Sequence, residues 1–157
     1  MKRPEIKRTP YHIIMNTLGI LVLVGTYLFL ALSWKQIPNQ IPGHYNGSGE
    51  INRWASKAEL WILPSIGVFL YAMISLFEHF PQTWNTGIAV TEENREEVYR
   101  ILKNMVVTLK LILVLTFSFL TVWSSLSRPL PVWFLPLFLV LLFGTLAIFI
   151  VALLKKR

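Results

Sequence analysis

The sequence predicts an all-α, polytopic membrane protein with four transmembrane helices and an ordered extracytoplasmic loop between the first two helices. Hydrophobic residues make up 54% of the 157 residues, more than a soluble domain of this size carries. They are gathered in four blocks, each close to the roughly 20 residues that cross a bilayer as a helix. The blocks run over about Ile13–Trp34, Leu60–Phe80, Met105–Trp123 and Val132–Leu154. They leave no room for a separate soluble domain, so residues 1–157 are expected to form a single membrane domain.

The basic residues predict the orientation of the helices. Of the 15 lysines and arginines, 11 fall before the first block, between the second and third blocks or at the start of the third, and after the fourth. The other four fall on the opposite side: Lys35, Arg53, Lys57 and Arg128. Because cytoplasmic segments are enriched in Lys and Arg, both termini are predicted to be cytoplasmic. The net charge of +7 is explained by this arrangement, and no nucleic-acid partner is expected.

The first block is predicted to be a retained transmembrane helix rather than a cleaved signal peptide. Its apolar run of about 22 residues is longer than a signal h-region. Trp34 and Lys35 stand where a small-residue cleavage site would be required. Gly19 and Gly25 could allow another helix to approach closely. His12 is expected to lie at the membrane interface.

The polar segment 35–58 is predicted to form an ordered cap on the outer face. Pro38 and Pro42 restrict the backbone to extended or turn conformations. The dipeptide Asn46-Gly47 is a strong turn signal. The apolar side chains of this segment can pack onto the outer helix ends, which favours a cap over a flexible linker.

The second block begins with a capping signal. Ser56 is expected at the N-cap, with Glu59 three residues later as the second half of a capping box. Pro64 lies near the outer end, where it can kink the helix. Glu78 and His79 close the inner end and are expected to form a solvated helix terminus.

The third helix is predicted to begin before the membrane. Thr91 is the expected N-cap, followed by two glutamates that favour the positive end of the helix dipole. A helix over residues 91–125 would be roughly 50 Å long, so its first turns should lie outside the hydrocarbon core. Lys110 falls just inside the apolar run, from where it can snorkel to the surface. The fourth helix carries Pro136 near its outer entry.

The outer cap contains a series of residues at fixed spacing. They follow the order Ile41, Pro42, His44, Asn46, Gly49, Asn52, Trp54, Lys57. This series resembles the pattern IP-x-H-x-N-x-x-G-x-x-D-x-W-x-x-K in the N-terminal membrane domain of the SdpI-like immunity proteins. Asn52 departs from it, since the family usually has Asp there. The resemblance implies an integral membrane protein of a bacterial envelope, and one member of the family confers immunity to a secreted peptide toxin.

These motif positions are the candidate ligand- or partner-binding residues: Pro42, His44, Asn46, Gly49, Asn52, Trp54 and Lys57. His44 could respond to protons or bind a metal, or simply bond to loop backbone. A single histidine among amides offers too few strong donors for zinc, so no metal and no cofactor are predicted. Trp54 could be a ligand platform or an interfacial anchor. Lys57 could meet an anionic lipid head or a carboxylate of a partner, or simply snorkel at the interface.

The sequence bears on four candidate functions. Immunity or resistance to a secreted antimicrobial peptide is the preferred hypothesis. The alternative is an accessory subunit of a membrane transporter or other membrane complex, which could also work as a homo-oligomer. An enzyme is not expected, because the chain has no cysteine and no nucleophile with an evident base. Signalling through the charged segment 91–103, by docking a cytoplasmic partner, stays open.

Overall fold

The computed structural model describes residues 6–157 and consists mainly of four long helices. They are α1 (Pro10–Ser33), α2 (Ile62–Phe77), α3 (Arg95–Ser125) and α4 (Phe134–Leu154). Each, with α2 extended by the 3-10 turn Lys57–Trp61 that precedes it, is long and apolar enough to cross a membrane. The predicted fold class is therefore confirmed. The protein is an integral, multi-pass membrane protein that contacts the lipid bilayer through these helices. Two of the basic residues before the first block, Lys2 and Arg3, lie outside the described residues.

The helix α3 is the centre of the bundle, because α1, α2 and α4 all pack against it. Its buried positions are apolar up to Val114, apart from two lysines, and are small and polar from Ser118 to the end of the helix. The hydroxyl of Thr121 donates to the carbonyl of Phe117 one turn back, at 2.8 Å, so it is satisfied within its own helix. Small residues of this kind let neighbouring helices approach closely in a bilayer.

A glycine brings α1 and α2 together. A Cβ placed on Gly19 would lie 2.9 Å from Cε2 of Tyr71, so this position has room only for hydrogen. The Tyr71 hydroxyl donates to the backbone carbonyl of Asn16, at 3.0 Å. Gly25 has nothing within 4 Å of its added Cβ. The expected close approach is thus found at Gly19 and not at Gly25.

The polar segment between α1 and α2 contains an antiparallel hairpin. Strand β1 (Gln40–Tyr45) pairs with β2 (Ile51–Ser56), with an irregular register around Gly43. Beneath it, a cluster of buried side chains joins the hairpin to the ends of α1 and α2: Leu30, Ile37, Ile41, Ala55 and Leu60. We call this end of the bundle, together with the turn 126–133 that joins α3 to α4, the hairpin face.

The opposite end, the terminal face, carries the start of α1, the segment 78–94 and the end of α4. Its core is a second cluster of Trp84, Val98, Leu102 and Leu153. The indole Nε1 of Trp84 donates to the carbonyl of Phe77, at 3.2 Å, and so binds an end of α2 that lacks further helical partners.

The start of α3 differs from its prediction. The helix begins at Arg95, and Asn94 rather than Thr91 occupies the N-cap position. The Oδ1 of Asn94 accepts from the backbone N–H of Thr91 at 2.8 Å, and Oγ1 of Thr91 accepts from the N–H of Asn94 at 3.3 Å. These two bonds close a separate turn over residues 91–94. Thr91 therefore caps that turn and not the helix.

The start of the second span agrees with its prediction in part. Oγ of Ser56 accepts from the N–H of Ala58, as expected of a cap, although the first turn is 3-10 rather than α. Glu59 does not complete the capping box. Its carboxylate instead pairs with the guanidinium of Arg53, at 2.8 Å.

Candidate functional site

The hairpin loop forms one wall of a cavity of about 440 Å³ on the hairpin face. The opposite wall consists of the turn before α4 and the first turn of that helix, including Leu130, Phe134 and Leu135. The floor is formed by Leu63 of α2 and by Leu120 and Ser124 of α3. The cavity therefore has an apolar floor and far wall, facing a polar loop, which is typical of a small ligand site.

Four of the seven candidate residues line this cavity: Pro42, His44, Asn46 and Gly49. Asn52 lies next to it, because its Oδ1 is 2.6 Å from Nδ1 of His44. Since an amide oxygen only accepts, Nδ1 carries the proton in this bond, which leaves Nε2 as the acceptor of a neutral ring. Asn52 is a neutral group that orients the histidine ring through this bond.

Asn46 builds the loop. Its Oδ1 accepts from the backbone N–H of both Ser48 and Glu50, at 3.0 and 2.9 Å, and its Nδ2 donates to the Glu50 carboxylate at 2.9 Å. The turn expected at Asn46-Gly47 therefore exists and is held by the asparagine side chain.

Gly49 is the residue that fixes the loop to the rest of the bundle. Its φ of +84° belongs to the left-handed region that favours glycine. Its carbonyl accepts from the N–H of Leu130 at 2.7 Å, and a Cβ at this position would lie 2.6 Å from the oxygen of Leu130. A hydrogen bond from Ser124 to the carbonyl of Pro42 adds a second attachment, to α3.

Tyr45 brings a further polar group to the cavity that the sequence analysis did not single out. Its hydroxyl is buried and makes no hydrogen bond of good geometry within residues 6–157. Burial raises the pKa of the Tyr45 phenol, and the neighbouring Ser124 hydroxyl opposes that shift only in part. Because its contact with Ser124 falls short of good hydrogen-bond geometry, this hydroxyl can still bond to a ligand in the cavity.

Trp54 and Lys57 do not reach this cavity. The indole of Trp54, 52% exposed, lies on the surface of the hairpin, paired across the strands with Pro42. The ammonium of Lys57 lies 5.1 Å from the ring centroid of Trp34 and donates to that residue's carbonyl at 3.4 Å. Lys57 thus binds the hairpin to the end of α1 through a cation–π contact.

Arg53, which directly precedes Trp54, supports the irregular register of the hairpin. Its Nη2 donates to the carbonyl of Gly43 at 2.8 Å while the same guanidinium pairs with Glu59. The hydrogen bond and charge of Glu59 raise the pKa of Arg53 further above its ordinary value. Nothing in the spacing of the motif indicated this role.

A buried ion pair near the terminal face corrects two expectations. The ammonium of Lys110, 2% exposed, pairs with the carboxylate of Glu78, 8% exposed, and donates to Oγ of Ser75 at 2.8 Å. The same ammonium lies 4.5 Å from the ring centroid of Tyr71. Lys110 therefore does not snorkel, and the Glu78 carboxylate is not a solvated helix end, because each neutralises the other between α2 and α3.

His12, expected at the membrane interface, lies in the first turn of α1 with its side chain buried against α3, at 2% exposure. Its Nε2 lies 2.7 Å from Oδ1 of Asn104 on α3, and its Nδ1 accepts from the backbone N–H of Thr9 at 3.2 Å. The histidine therefore completes a capping box at the start of α1 while it joins that helix to α3.

Two comparisons with known proteins give a match, and the family match falls on the part of the chain that carries the hairpin. A family model described as a domain of unknown function (DUF1648) matches residues 21–68, from the second half of α1 to the start of α2. An archaeal protein from Archaeoglobus fulgidus, described as uncharacterized, is 29% identical over 76 residues. That match covers 43% of this chain and 42% of the relative, so the chain spans less than half of it. No solved structure matches the chain. Neither match carries the immunity function that the resemblance implied.

Proposed function

We propose that this chain is a non-enzymatic immunity protein of a bacterial cell membrane, whose hairpin-face cavity binds an apolar segment of a secreted antimicrobial peptide. The observation that carries the proposal is the cavity of about 440 Å³, with motif residues on one wall and apolar side chains on the other. A ring nitrogen of His44 and the weakly bonded Tyr45 hydroxyl supply polar groups that a peptide backbone can bond. Binding there holds the peptide at the membrane surface, where it cannot insert.

The proposal places the hairpin face outside the cell and both chain ends in the cytoplasm, in accord with the distribution of basic residues. The chain has no cysteine, so single cysteines report accessibility without background. We expect Ser48→Cys, at the exposed hairpin turn, to react with a membrane-impermeant maleimide in intact cells. Gln82→Cys, exposed at the terminal face, should react only after lysis. The reverse labelling pattern would refute this orientation.

A survival assay tests the immunity function. Cells that express the protein are challenged with a panel of purified secreted antimicrobial peptides. We expect wild type to protect against at least one peptide and Leu135→Trp to lose that protection, because the larger side chain fills the cavity without altering the hairpin. Leu137→Trp, two residues along α4 and outside the cavity, is the matched control and should protect like wild type. Equal protection by both variants, or no protection by wild type, would contradict the proposal.

The role of His44 needs a separate comparison, because its side chain both lines the cavity and bonds to Asn52. His44→Ala removes the ring, whereas Asn52→Ala removes the same hydrogen bond but leaves the ring in place. We expect His44→Ala to lose about tenfold in protective potency, the effect of one lost hydrogen bond at a binding site. Asn52→Ala should lose markedly less. Equal losses would mean that only the hairpin structure matters.

The second candidate function is an accessory subunit of a transporter or other membrane complex. The buried Lys110–Glu78 pair favours it, since ionisable residues within membrane spans commonly mark functional paths or partner contacts. It predicts that the tagged protein copurifies from native membranes in mild detergent with another membrane protein at fixed stoichiometry.

Signalling through segment 91–103 would require that segment to release the C-terminal end, because Glu97 pairs with Lys156 at 2.7 Å.

A further inference from the structure

A second cavity, of about 510 Å³, lies near the terminal face and takes no part in the proposed immunity function. It is lined by residues of α1, α2 and α3 and extends to Arg8, just before α1. Ile13 and Ile20 of α1 line it as well and are 56% and 49% exposed. The cavity therefore opens between α1 and α2 toward the lipid as well as toward the terminal face.

The charges in this cavity do not balance. Among residues 6–157, its lining carries three positive charges, from Arg8, Lys103 and Lys110, against the one carboxylate of Glu78. Lys110 and Glu78 neutralise each other in their ion pair. The cavity is left with the positive charges of Arg8 and Lys103, and the nearby His12 adds no negative charge.

Lys103 shows that part of the positive charge in this cavity is not compensated. It is 9% exposed, lines the cavity, and within residues 6–157 makes no hydrogen bond and no ion pair. Burial disfavours its charge, and the attraction of Glu78, which is shared with Lys110, is opposed by the charges of Arg8 and Lys110. A buried ammonium without a counter-ion is costly, so the surroundings favour an anion beside it.

We propose that this cavity binds a phosphate-bearing anion, namely the head group of an acidic phospholipid in the leaflet at the terminal face. Lysine and arginine are the side chains that bind phosphate oxygens, and the volume accommodates a glycerophosphate group. The apolar rim at Ile13 and Ile20 gives an acyl chain a path back into the bilayer. Basic pockets between transmembrane helices bind acidic lipid heads in this way.

Native mass spectrometry of the purified full chain in detergent tests the proposal, with dioleoylphosphatidylglycerol and dioleoylphosphatidylcholine as probes. We expect one phosphatidylglycerol per chain to bind and phosphatidylcholine to bind far more weakly. Arg8→Gln and Lys103→Gln should each weaken phosphatidylglycerol binding by about tenfold or more, the effect of one charge-assisted hydrogen bond. Arg8 is exposed, so its variant tests the site even if Lys103→Gln fails to fold.

Lys7→Gln is the matched control, because Lys7 is exposed beside Arg8, carries the same charge and does not line the cavity. It should bind phosphatidylglycerol like wild type. Inorganic phosphate at millimolar concentration forms the second arm: displacement of the lipid by phosphate would assign the site to a soluble phosphate instead. Equal binding of both lipids, or equal losses in Arg8→Gln and Lys7→Gln, would overturn the proposal.

Discussion

Replacing Lys110 by methionine is expected to lower the free energy of unfolding by about 3–5 kcal/mol, because it leaves the Glu78 carboxylate buried without its partner. Methionine has nearly the volume of lysine, so the loss reports the charge and not a cavity. The measurement is denaturant-induced unfolding of the purified protein in mixed micelles, followed by tryptophan fluorescence. Ser75 also loses a donor in this variant, which adds to the effect.

Two further variants separate the ion pair from other causes. Lys110→Met combined with Glu78→Leu should recover most of the lost stability, because an apolar pair of similar size replaces a buried pair of charges. Lys155→Met, at an exposed position after α4, should leave the unfolding curve unchanged. If the double variant is less stable than Lys110→Met alone, Glu78 must contribute through a contact other than this ion pair.

Replacing Gly49 by alanine is expected to destabilise the protein by about 2–4 kcal/mol, since strain in the left-handed region and overpacking add together. The backbone has a φ of +84°, and the new Cβ would meet the carbonyl oxygen of Leu130 at 2.6 Å. Relief of that contact breaks the hydrogen bond from Leu130 to Gly49, which joins the hairpin to the turn before α4. Limited proteolysis of the hairpin, together with the unfolding measurement, records both effects.

Gly47 is the matched control for this change. It lies two residues earlier in the same loop, does not have a positive φ, and has nothing within 4 Å of an added Cβ. Gly47→Ala should therefore match wild type in stability and in resistance to protease. A similar loss in both variants would show that the loop needs glycine for flexibility and not for the contact with Leu130.

The four helices could be predicted from the sequence because a bilayer sets a minimum length for an apolar block. The start of α3 could not, because Thr91 and Asn94 each satisfy the other's backbone N–H in a turn before the helix. Both residue types commonly occupy the N-cap, and only the two hydrogen bonds between these residues decide which one lies directly before the helix.

The hairpin was expected only as a turn-rich cap. Pro42 and the neighbouring glycines count against a strand, since proline cannot donate to a ladder. The structure places an irregular register directly after Pro42, with Arg53 bound to the free carbonyl of Gly43. Tertiary contacts with Ser124 and Leu130 then hold a strand pair that local propensity does not favour.

The Lys110–Glu78 pair escaped prediction for a different reason. The two residues lie 32 positions apart, each near the end of an apolar run, where a charged side chain normally reaches water. Which face of α2 turns toward α3 depends on packing at positions such as Gly19 and Tyr71, and a single sequence does not encode that visibly. The same holds for Tyr45, whose burial depends on α3.

The central place of α3 has a consequence for biosynthesis. As the chain leaves the ribosome, α1, the hairpin and α2 are made first. The helix that α1 and α2 pack against, and the ammonium that neutralises Glu78, follow only with α3. Until α3 is made, the first half of the protein therefore lacks both its packing surface and the counter-charge of Glu78. Arrival of α3 supplies the missing charge and packing surface together, so the insertion of this one segment commits the whole bundle to its final arrangement.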